Sequence, residues 1–548
     1  MNIVIRGLVK ILELFIYIES LFRSKSEFPG DIGFFAGVRD TIYVLSMSVL
    51  EICKIKYAKY PGTLCPINSY FGKKDMILRD PQHINAIYSS LTEKEPEGLT
   101  GHPVALQRFS WTLGYNILCV PFEEWKAIRH RTTKFLISLH LKRYESLMQD
   151  TLDKELIPKW EKYANSGTSI DIYADMLHYS SKTVMMALLG LSPDQVSTEM
   201  YNLLNQMFTT MRPLIYGVFV FPPWVPTPAN RRFAEKKAAI ARSIKEYIKT
   251  HKNTETLLGC VVRNHTQRIR KNIQTFFEKS GYTVSADAQE YYDQNWSKDL
   301  TLTVTALIGK VAPDLTGTEK EKMITNFENF LCEGGEINEK IIIDEIISDL
   351  VGGSETTIIF MTFCCYFLAT NPEVQEKFRT YLNENLNTEL TEMMSRGYLG
   401  WVLNETLRLA SPANITNKPL YKDLCIRGNK VVDGPPEPGD LVINKNITPW
   451  FSQYMVHRDP LVWGPDAEQF NPDRWAQESK PGSFIPFGGG PRRCAGDRYA
   501  LREAAILVRT MFRYFKISMA DPNYKLETDS DLTTRPRERI FLKLQRIV

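Results

Sequence analysis

The order of apolar and polar residues along this 548-residue chain divides it into long helical stretches and a few short strand-like runs. Apolar residues recurring every three to four positions mark one face of a helix, and strict alternation marks a strand. Ile67 to Ile77 reads as strand, and Asp80-Pro81-Gln82-His83 as the start of a helix. The pattern is helical from Glu123 to about Ser192, with short breaks, and again from Arg231 to His251. Between them lies a proline-rich aromatic connector, Phe219-Val220-Phe221-Pro222-Pro223-Trp224-Val225-Pro226-Thr227-Pro228. Residues 254–330 show no clear period and mixed charge, which predicts an exposed, partly helical insertion. A long helix is predicted from Asn338 to Thr370, stopped by Asn371-Pro372. Others are predicted at 392–410 and from Asp497 to Phe515, and Leu441-Val442-Ile443 reads as strand. The expectation is a mainly α protein with a small β-part.

Composition narrows this little. The apolar and charged fractions are those of a globular protein, and a net charge of +4 is too small to argue for nucleic acid. The first 22 residues are apolar-rich but broken by Arg6, Lys10, Glu13 and Glu19, and the uncharged stretch Thr41 to Leu50 is half the length that spans a bilayer. Neither resembles a cleaved signal peptide. Residues 1–56 are therefore expected to form an amphipathic segment at a membrane interface, with Lys10, Lys54 and Lys56 as lipid contacts and Lys59 just beyond. Residues 57–548 are expected to form one domain. Of the nine cysteines, eight show no zinc or CxxC spacing and read as reduced structural residues.

The ninth, Cys494, stands in Phe487-Gly488-Gly489-Gly490-Pro491-Arg492-Arg493-Cys494-Ala495-Gly496. Glycines let the backbone approach something flat or bulky. Two arginines and the start of the next helix favour a thiolate over a thiol. An anionic sulfur held this way suits one face of a haem iron. The glycines could instead cradle phosphate, but the GxxxxGK[ST] pattern is missing. Upstream, Val351-Gly352-Gly353-Ser354-Glu355-Thr356-Thr357 sits mid-helix, where glycine and threonine are unfavourable. Such a cluster marks a bend, a close helix contact or the approach of something large. Glu405 and Arg408 share a helix face, as do Trp125 and Arg129. Arg492, Arg493, Arg498, Arg502, Arg509 and Arg513 make the region of the cysteine basic.

Together these motifs resemble the cytochrome P450 family. Phe487-x-x-Gly490-x-Arg492-x-Cys494-x-Gly496 matches its haem loop, and Gly352-Gly353-Ser354-Glu355-Thr356 its distal-helix segment. Glu405-Thr406-Leu407-Arg408 lies where its ExxR motif belongs. Pro472-Asp473-Arg474-Trp475 is similar to its PxRF/W element, and Trp125 with Arg129 to its WxxxR helix. The resemblance implies the cytochrome P450 fold, mainly α with a small β-subdomain, and haem b between two long helices. Cys494 would be the axial iron ligand, Phe487 would pack over its sulfur, and Gly490 and Gly496 would allow the close approach. Arg492, Trp125, Arg129 and Lys418 would serve the propionates. Lys418 stands where many members carry arginine, so it keeps the charge and loses the bidentate fork. Gly352 and Gly353 would open a groove for dioxygen, Thr356 and Glu355 would relay protons, and Glu405, Arg408 and Arg474 would lock the loop structurally. The implied reaction is monooxygenation using O2 and electrons from a separate donor, an NADPH-dependent reductase or a ferredoxin, docked on the basic face.

The substrate is expected to be lipophilic, a fatty acid or a terpenoid or sterol-like compound. Met207, Phe208, Met211, Phe219, Phe221 and Trp224 form a greasy stretch, and Trp224 to Arg232 is similar to fatty-acid-hydroxylating members. The expected location is a membrane facing the cytoplasm, endoplasmic reticulum in a eukaryote, or the cytoplasm itself. Two alternatives stay open: a reductase-independent isomerase or dehydratase, and a non-enzymatic haem-binding protein. The acid–threonine pair and the uninterrupted cysteine loop speak against the first.

Overall fold

The computed structural model describes residues 64–547 apart from 70–72, 91–108, 217–222, 252–257, 260, 262–272, 291–299, 334–338, 531–532 and single positions at 121, 137, 197, 289, 419, 421 and 446. The amphipathic segment expected at 1–56 lies outside the described residues, as do Phe219 and Phe221.

The run read as one strand is a hairpin, β1 (Leu64–Ser69) and β2 (Lys73–Leu78). Asp80 then caps α1 (Pro81–Ser90), accepting from the Gln82 N–H at 2.8 Å. Helices α2 (Phe122–Leu136), α3 (Ser138–Thr151) and α4 (Ile157–Ser166) follow, α3 and α4 joined through a π-helical turn at Leu152–Leu156. A short β3 (Ile170–Asp171) leads into α5 (Ile172–Leu189), whose cap is the Asp171 carboxylate. Next come α6 (Thr198–Tyr216), α7 (Pro228–His251), α8 (Leu300–Val311) and α9 (Gly317–Glu333).

The central element is α10 (Glu339–Thr370), packed against α5 and α14, the helix after the cysteine loop (Asp497–Tyr514). It is apolar on nearly all sides because it is buried, with Ile342, Ile347, Leu350, Ile359 and Phe363 fully enclosed. Its polar side chains survive burial by bonding their own helix: the hydroxyls of Ser354, Thr357 and Thr362 donate to the carbonyls four residues back. It ends at Asn371, whose amide caps the Phe367 carbonyl at 2.8 Å, and α11 (Pro372–Glu384) begins at the proline. The helix predicted at 392–410 is two, α12 (Leu390–Ser395) and α13 (Tyr398–Leu409).

The β-part is split. Strand β2 pairs in parallel with β8 (Thr448–Ser452), which pairs with β4 (Ile415–Asn417), so residues far apart in the chain share one sheet. A second sheet has the order β6 (Lys430–Val432), β5 (Leu424–Arg427), β7 (Leu441–Ile443). After α14 come β9 (Phe515–Met519), β10 (Thr528–Ser530), β11 (Thr534–Pro536) and β12 (Phe541–Arg546). Strand β12 joins β3 and β9.

One expectation is corrected. Residues 254–330 are not simply exposed: Leu258, Val261, Ile273, Phe277, Ala288, Leu307 and Ile308 are buried in the main core. Apolar residues too irregularly spaced to show a period still find a common face once the segment packs.

Candidate active site

The cysteine loop is built by its own backbone. The Cys494 N–H donates to the Phe487 carbonyl at 3.0 Å and the Arg493 N–H to Gly490 at 3.0 Å. Gly490 closes the turn at φ 66°, in the left-handed region. Gly489 is small for a different reason: a Cβ there would meet the ring of Tyr88 at 2.6 Å. Tyr88, on α1, is thus a wall of the loop that no sequence motif pointed to. Phe487 packs against the core, with the Arg493 guanidinium 5.7 Å from its ring.

Cys494 is exposed on one side of this loop. The protein around the rest of the sulfur desolvates it, and this pushes the thiol above its ordinary pKa. A Gly496 backbone hydrogen bond, Arg129 and Arg493 pull the other way without winning, and Asp497 adds to the rise. This corrects the expectation that the arginines and the helix start would favour a thiolate. Desolvation disfavours the charged form more than neighbours at this distance can offset. A coordinated metal deprotonates a thiol outright, so ligation itself would make the thiolate.

Trp125 and Arg129 do not converge. Trp125 is buried and carries the Arg492 guanidinium over its ring at 4.4 Å. Arg129 instead donates to the Arg493 carbonyl at 2.6 Å and reaches the Cys494 carbonyl at 3.5 Å. It holds the cysteine loop from outside, which uses the donors expected to face a propionate.

Arg492 turns inward. One nitrogen donates to the Ile117 carbonyl at 3.0 Å, while Nε and the other terminal nitrogen are buried without a partner. Burial lowers its pKa to about 10. Lys418, half-buried, is lowered to about 8 by burial and by the positive charge of Arg492. No described acid pairs with either. Two partly desolvated cations, one of them with idle donors, suit carboxylates.

Behind the loop the charges are complete. Arg408 is wholly buried, grips both oxygens of Glu405 at 2.8 Å and donates to the carbonyls of His457, Ala467 and Gln469. Glu405 also accepts from Arg474 Nε, Trp475 Nε1 and the Asn471 N–H, each at 2.9 Å. His457 ties the network to the loop: its Nε2 accepts from the Ile485 N–H at 2.9 Å, and burial beside Arg408 and Arg458 lowers its pKa to about 3. A lone histidine at no motif spacing carried no sequence signal for this.

On α10, Gly352 is exposed although Leu350, Val351 and Ser354 around it are buried, and a Cβ there would meet nothing within 4 Å. Gly353 lies over Val184 of α5. The Thr356 hydroxyl donates to the Gly352 carbonyl at 2.8 Å. Glu355 is buried and accepts from the Thr533 hydroxyl at 3.1 Å, on the side of the β10–β11 hairpin. Farther along the cysteine helix, Glu503 accepts from the hydroxyls of Ser180 and Thr183 on α5. Burial raises its pKa to about 8, because a carboxylate there is held away from water with only hydroxyls to offset its charge.

The basic surface is smaller than the arginine count suggests. Arg492 points inward, Arg502 is paired with Glu145, and Arg493 is bonded to Asp497 at 2.8 Å. Arg493, Arg498 and Lys126 remain exposed near the loop.

The profile of the family Cytochrome P450 matches residues 55–309 and 314–544. This chain belongs to the cytochrome P450 family. Cytochrome P450 52-M1 of Starmerella bombicola is 32% identical over 42% of this chain and 44% of its own length. A cytokinin hydroxylase of Arabidopsis thaliana is 32% identical over 38% and 39%. A longer match, to the putative cytochrome P450 CYP13A2 of Caenorhabditis elegans, is 22% identical over 86% and 84%. The first two alignments span less than half the length of those relatives. Members of the family bind haem b, and the exposed sulfur and the acid-free cations fit that group.

Proposed function

We propose that this chain is a haem-thiolate monooxygenase that hydroxylates a lipophilic small molecule with electrons from a separate donor protein. One observation carries the reading: Cys494 stands exposed in its loop while Arg492 and Lys418, both half-buried, have no described acid partner. One sulfur ligand and a seat for carboxylates are what iron protoporphyrin requires. When bound, haem supplies the dioxygen and one-electron chemistry. The chain supplies the rest. Cys494 would offer Sγ as the iron ligand, its proton passing to solvent, and the Gly496 backbone hydrogen bond would tune that sulfur. Arg492, Lys418 and the Trp125 ring orient the group. Thr356, whose hydroxyl donates to the Gly352 carbonyl at 2.8 Å, would present that hydroxyl on the Gly352 side. Glu355 takes up protons from the side of Thr533.

Electron donation from a separate reductase is supported by the exposed Arg493, Arg498 and Lys126 beside the cysteine loop, which suit an acidic partner. A bifunctional cytochrome P450/NADPH–P450 reductase of Alternaria alternata, 31% identical over 37% of this chain, carries both activities in one polypeptide. Membrane contact is supported by Trp224, 81% exposed in the connector before α7. The apolar α10 is no membrane span, because most of it is buried. Met207 and Met211 of the greasy stretch are core residues, so they support the lipophilic substrate less than their composition suggested.

The test is the reduced carbon monoxide difference spectrum followed by NADPH-driven turnover with added reductase on a lipid panel. A thiolate-type band that Cys494→Ala abolishes, and a hydroxylated product, are expected. Rearrangement of a peroxide without reductase would replace this reading by the isomerase. A normal band with no turnover under any electron supply would leave a haem-binding protein.

A further inference from the structure

The three glycines of the cysteine loop are not equivalent. Gly488 and Gly490 have φ of 68° and 66°, in the left-handed region where a side chain is strained. Gly489 between them lies outside that region, so its backbone would accept alanine. What excludes a side chain there is Tyr88: a Cβ would stand 2.6 Å from Cγ and Cδ2 of the ring and 2.9 Å from Cδ1. A large flat residue on α1 is thus matched to a position with no side chain at all. The β-part holds that ring in place. Tyr88 is 8% exposed, and the fully buried Phe451 of β8 lies 4.8 Å from it, centroid to centroid. Its hydroxyl is 3.5 Å from Thr416 Oγ1 of β4. Gln453 Nε2 reaches the same Thr416 oxygen and the Ile485 carbonyl, at the entry to the loop, at 3.4 Å each. The turn, by contrast, has no side chain of its own to pack, and three successive glycines have the widest backbone freedom of any residues. Backbone bonds close its ends, from the Cys494 N–H to Phe487 and from the Arg493 N–H to Gly490.

We propose that the ring of Tyr88 selects one shape for the Gly488–Gly490 turn and thereby sets the spacing of the Phe487 and Gly490 carbonyls that receive the Cys494 and Arg493 N–H groups. Tyr88 is a positioning residue for Cys494: it acts through the backbone of the turn and not on the sulfur. A close-packed wall transmits displacement rather than absorbing it. A gap behind Gly489 lets both carbonyls drift, and an added methyl group pushes them. The size match between residues 88 and 489 is therefore the device, and the Tyr88 hydroxyl is secondary to the ring face. That Cys494 then serves an iron rests on the function proposed above; the wall itself does not.

The experiment is a size swap on the full chain as isolated, comparing Tyr88→Phe, Tyr88→Ala, Gly489→Ala and the double variant Tyr88→Ala with Gly489→Ala. The readouts are hydrogen–deuterium exchange by mass spectrometry and the share of the reduced carbon monoxide spectrum in the thiolate-type band. With Tyr88 present, Gly489→Ala should speed exchange of peptides covering 487–494 about tenfold, as a local opening, and lower the thiolate-type share. With Tyr88→Ala, the same substitution should no longer speed exchange, because the ring it would strike is gone and alanine suits the backbone there. Tyr88→Phe keeps the ring and should match wild type in both readouts, and peptides from α13 should be unchanged throughout. An equal effect of Gly489→Ala in the two backgrounds, or none with Tyr88 present, would overturn the proposal. So would Tyr88→Phe loosening the loop as much as Tyr88→Ala, which gives the role to the hydroxyl. If Tyr88→Ala does not fold, Gly489→Ala and Tyr88→Phe decide alone: loosening confined to 487–494 in the first and absent in the second supports the wall, and loosening spread equally through α13 overturns it. Absence of any carbon monoxide band in wild type sinks the functional reading, while the exchange data still decide the wall.

Discussion

Two charged clusters flank the cysteine loop, and they are opposites. Behind it, Glu405, Arg408 and Arg474 form a network whose buried charges are matched by countercharges, carbonyls and indole N–H groups. Beside it, Arg492 has two nitrogens without a partner and its charge lowers the pKa of Lys418, and no described acid pairs with either. A matched network holds geometry by itself and asks for nothing. An unmatched one costs stability in the bare protein and recovers it when an anion arrives. The contrast separates the part of the site that is scaffold from the part that is receptor.

The largest expected effect breaks the matched side. Arg408→Ala takes two charge-assisted bonds from Glu405, which keeps Arg474, Trp475 and the Asn471 N–H, and removes the Arg408 donors from three carbonyls; losing one partner of a buried pair costs about 3–5 kcal/mol. Chemical denaturation should show that loss, with little or no haem retained. If Arg408→Ala unfolds like wild type, the network is not scaffold.

Arg492→Gln sharpens the other side, because its two effects have opposite sign. Haem retention should fall by about 10–100-fold, the range typical of lost groups around a bound cofactor, as read by transfer to apomyoglobin. The haem-free protein should meanwhile be no less stable than wild type, since a desolvated cation has gone. Lower stability in both forms would mean that Arg492 is ordinary packing.

Lys418 gives the pH signature. The unfolded chain keeps this proton up to about pH 10.5, while the folded haem-free protein releases it near pH 8. Below pH 8 the folded state therefore carries the full cost of the buried charge, and its stability should rise as pH climbs from 8 towards 10.5. Lys418→Met should flatten that rise in denaturation midpoints, and so should bound haem. A wild-type profile no steeper than that of the variant would sink the idea.

The smallest effect is a control on the exposed rim. Asp497→Ala removes the partner of Arg493, an ion pair half in water, and should cost under about 1 kcal/mol. A larger loss would mean that the rim belongs to the scaffold.

Much of this was readable along the chain, for reasons that differ by residue. Helix α10 announced itself through length, apolar content and the Asn371-Pro372 stop. The Glu405–Arg408 pair followed from helical spacing, and the loop around Cys494 from glycines, because each is a relation among near neighbours. The burial of parts of 254–330 was invisible, since no period marks a face whose partner is not local. Arg129 shares a helix face with Trp125 as the spacing required, yet its long side chain ends on the Arg493 carbonyl. Spacing fixes where a side chain starts and not where it stops.

From the sequence alone came the sulfur, the glycine turn, the mid-helix glycine–threonine cluster and the identity of the buried pair: backbone rules and helical geometry act over a few residues and leave their pattern in the order of the chain. Only the tertiary structure decided that the surroundings of Cys494 push its thiol pKa up in the haem-free protein, that His457 stitches the network to the loop, and that Tyr88 walls Gly489. The last two depend on groups brought together from 28 to 401 positions apart in the chain. Desolvation and unpaired charge are properties of that gathered environment, and they exist only after packing has excluded water.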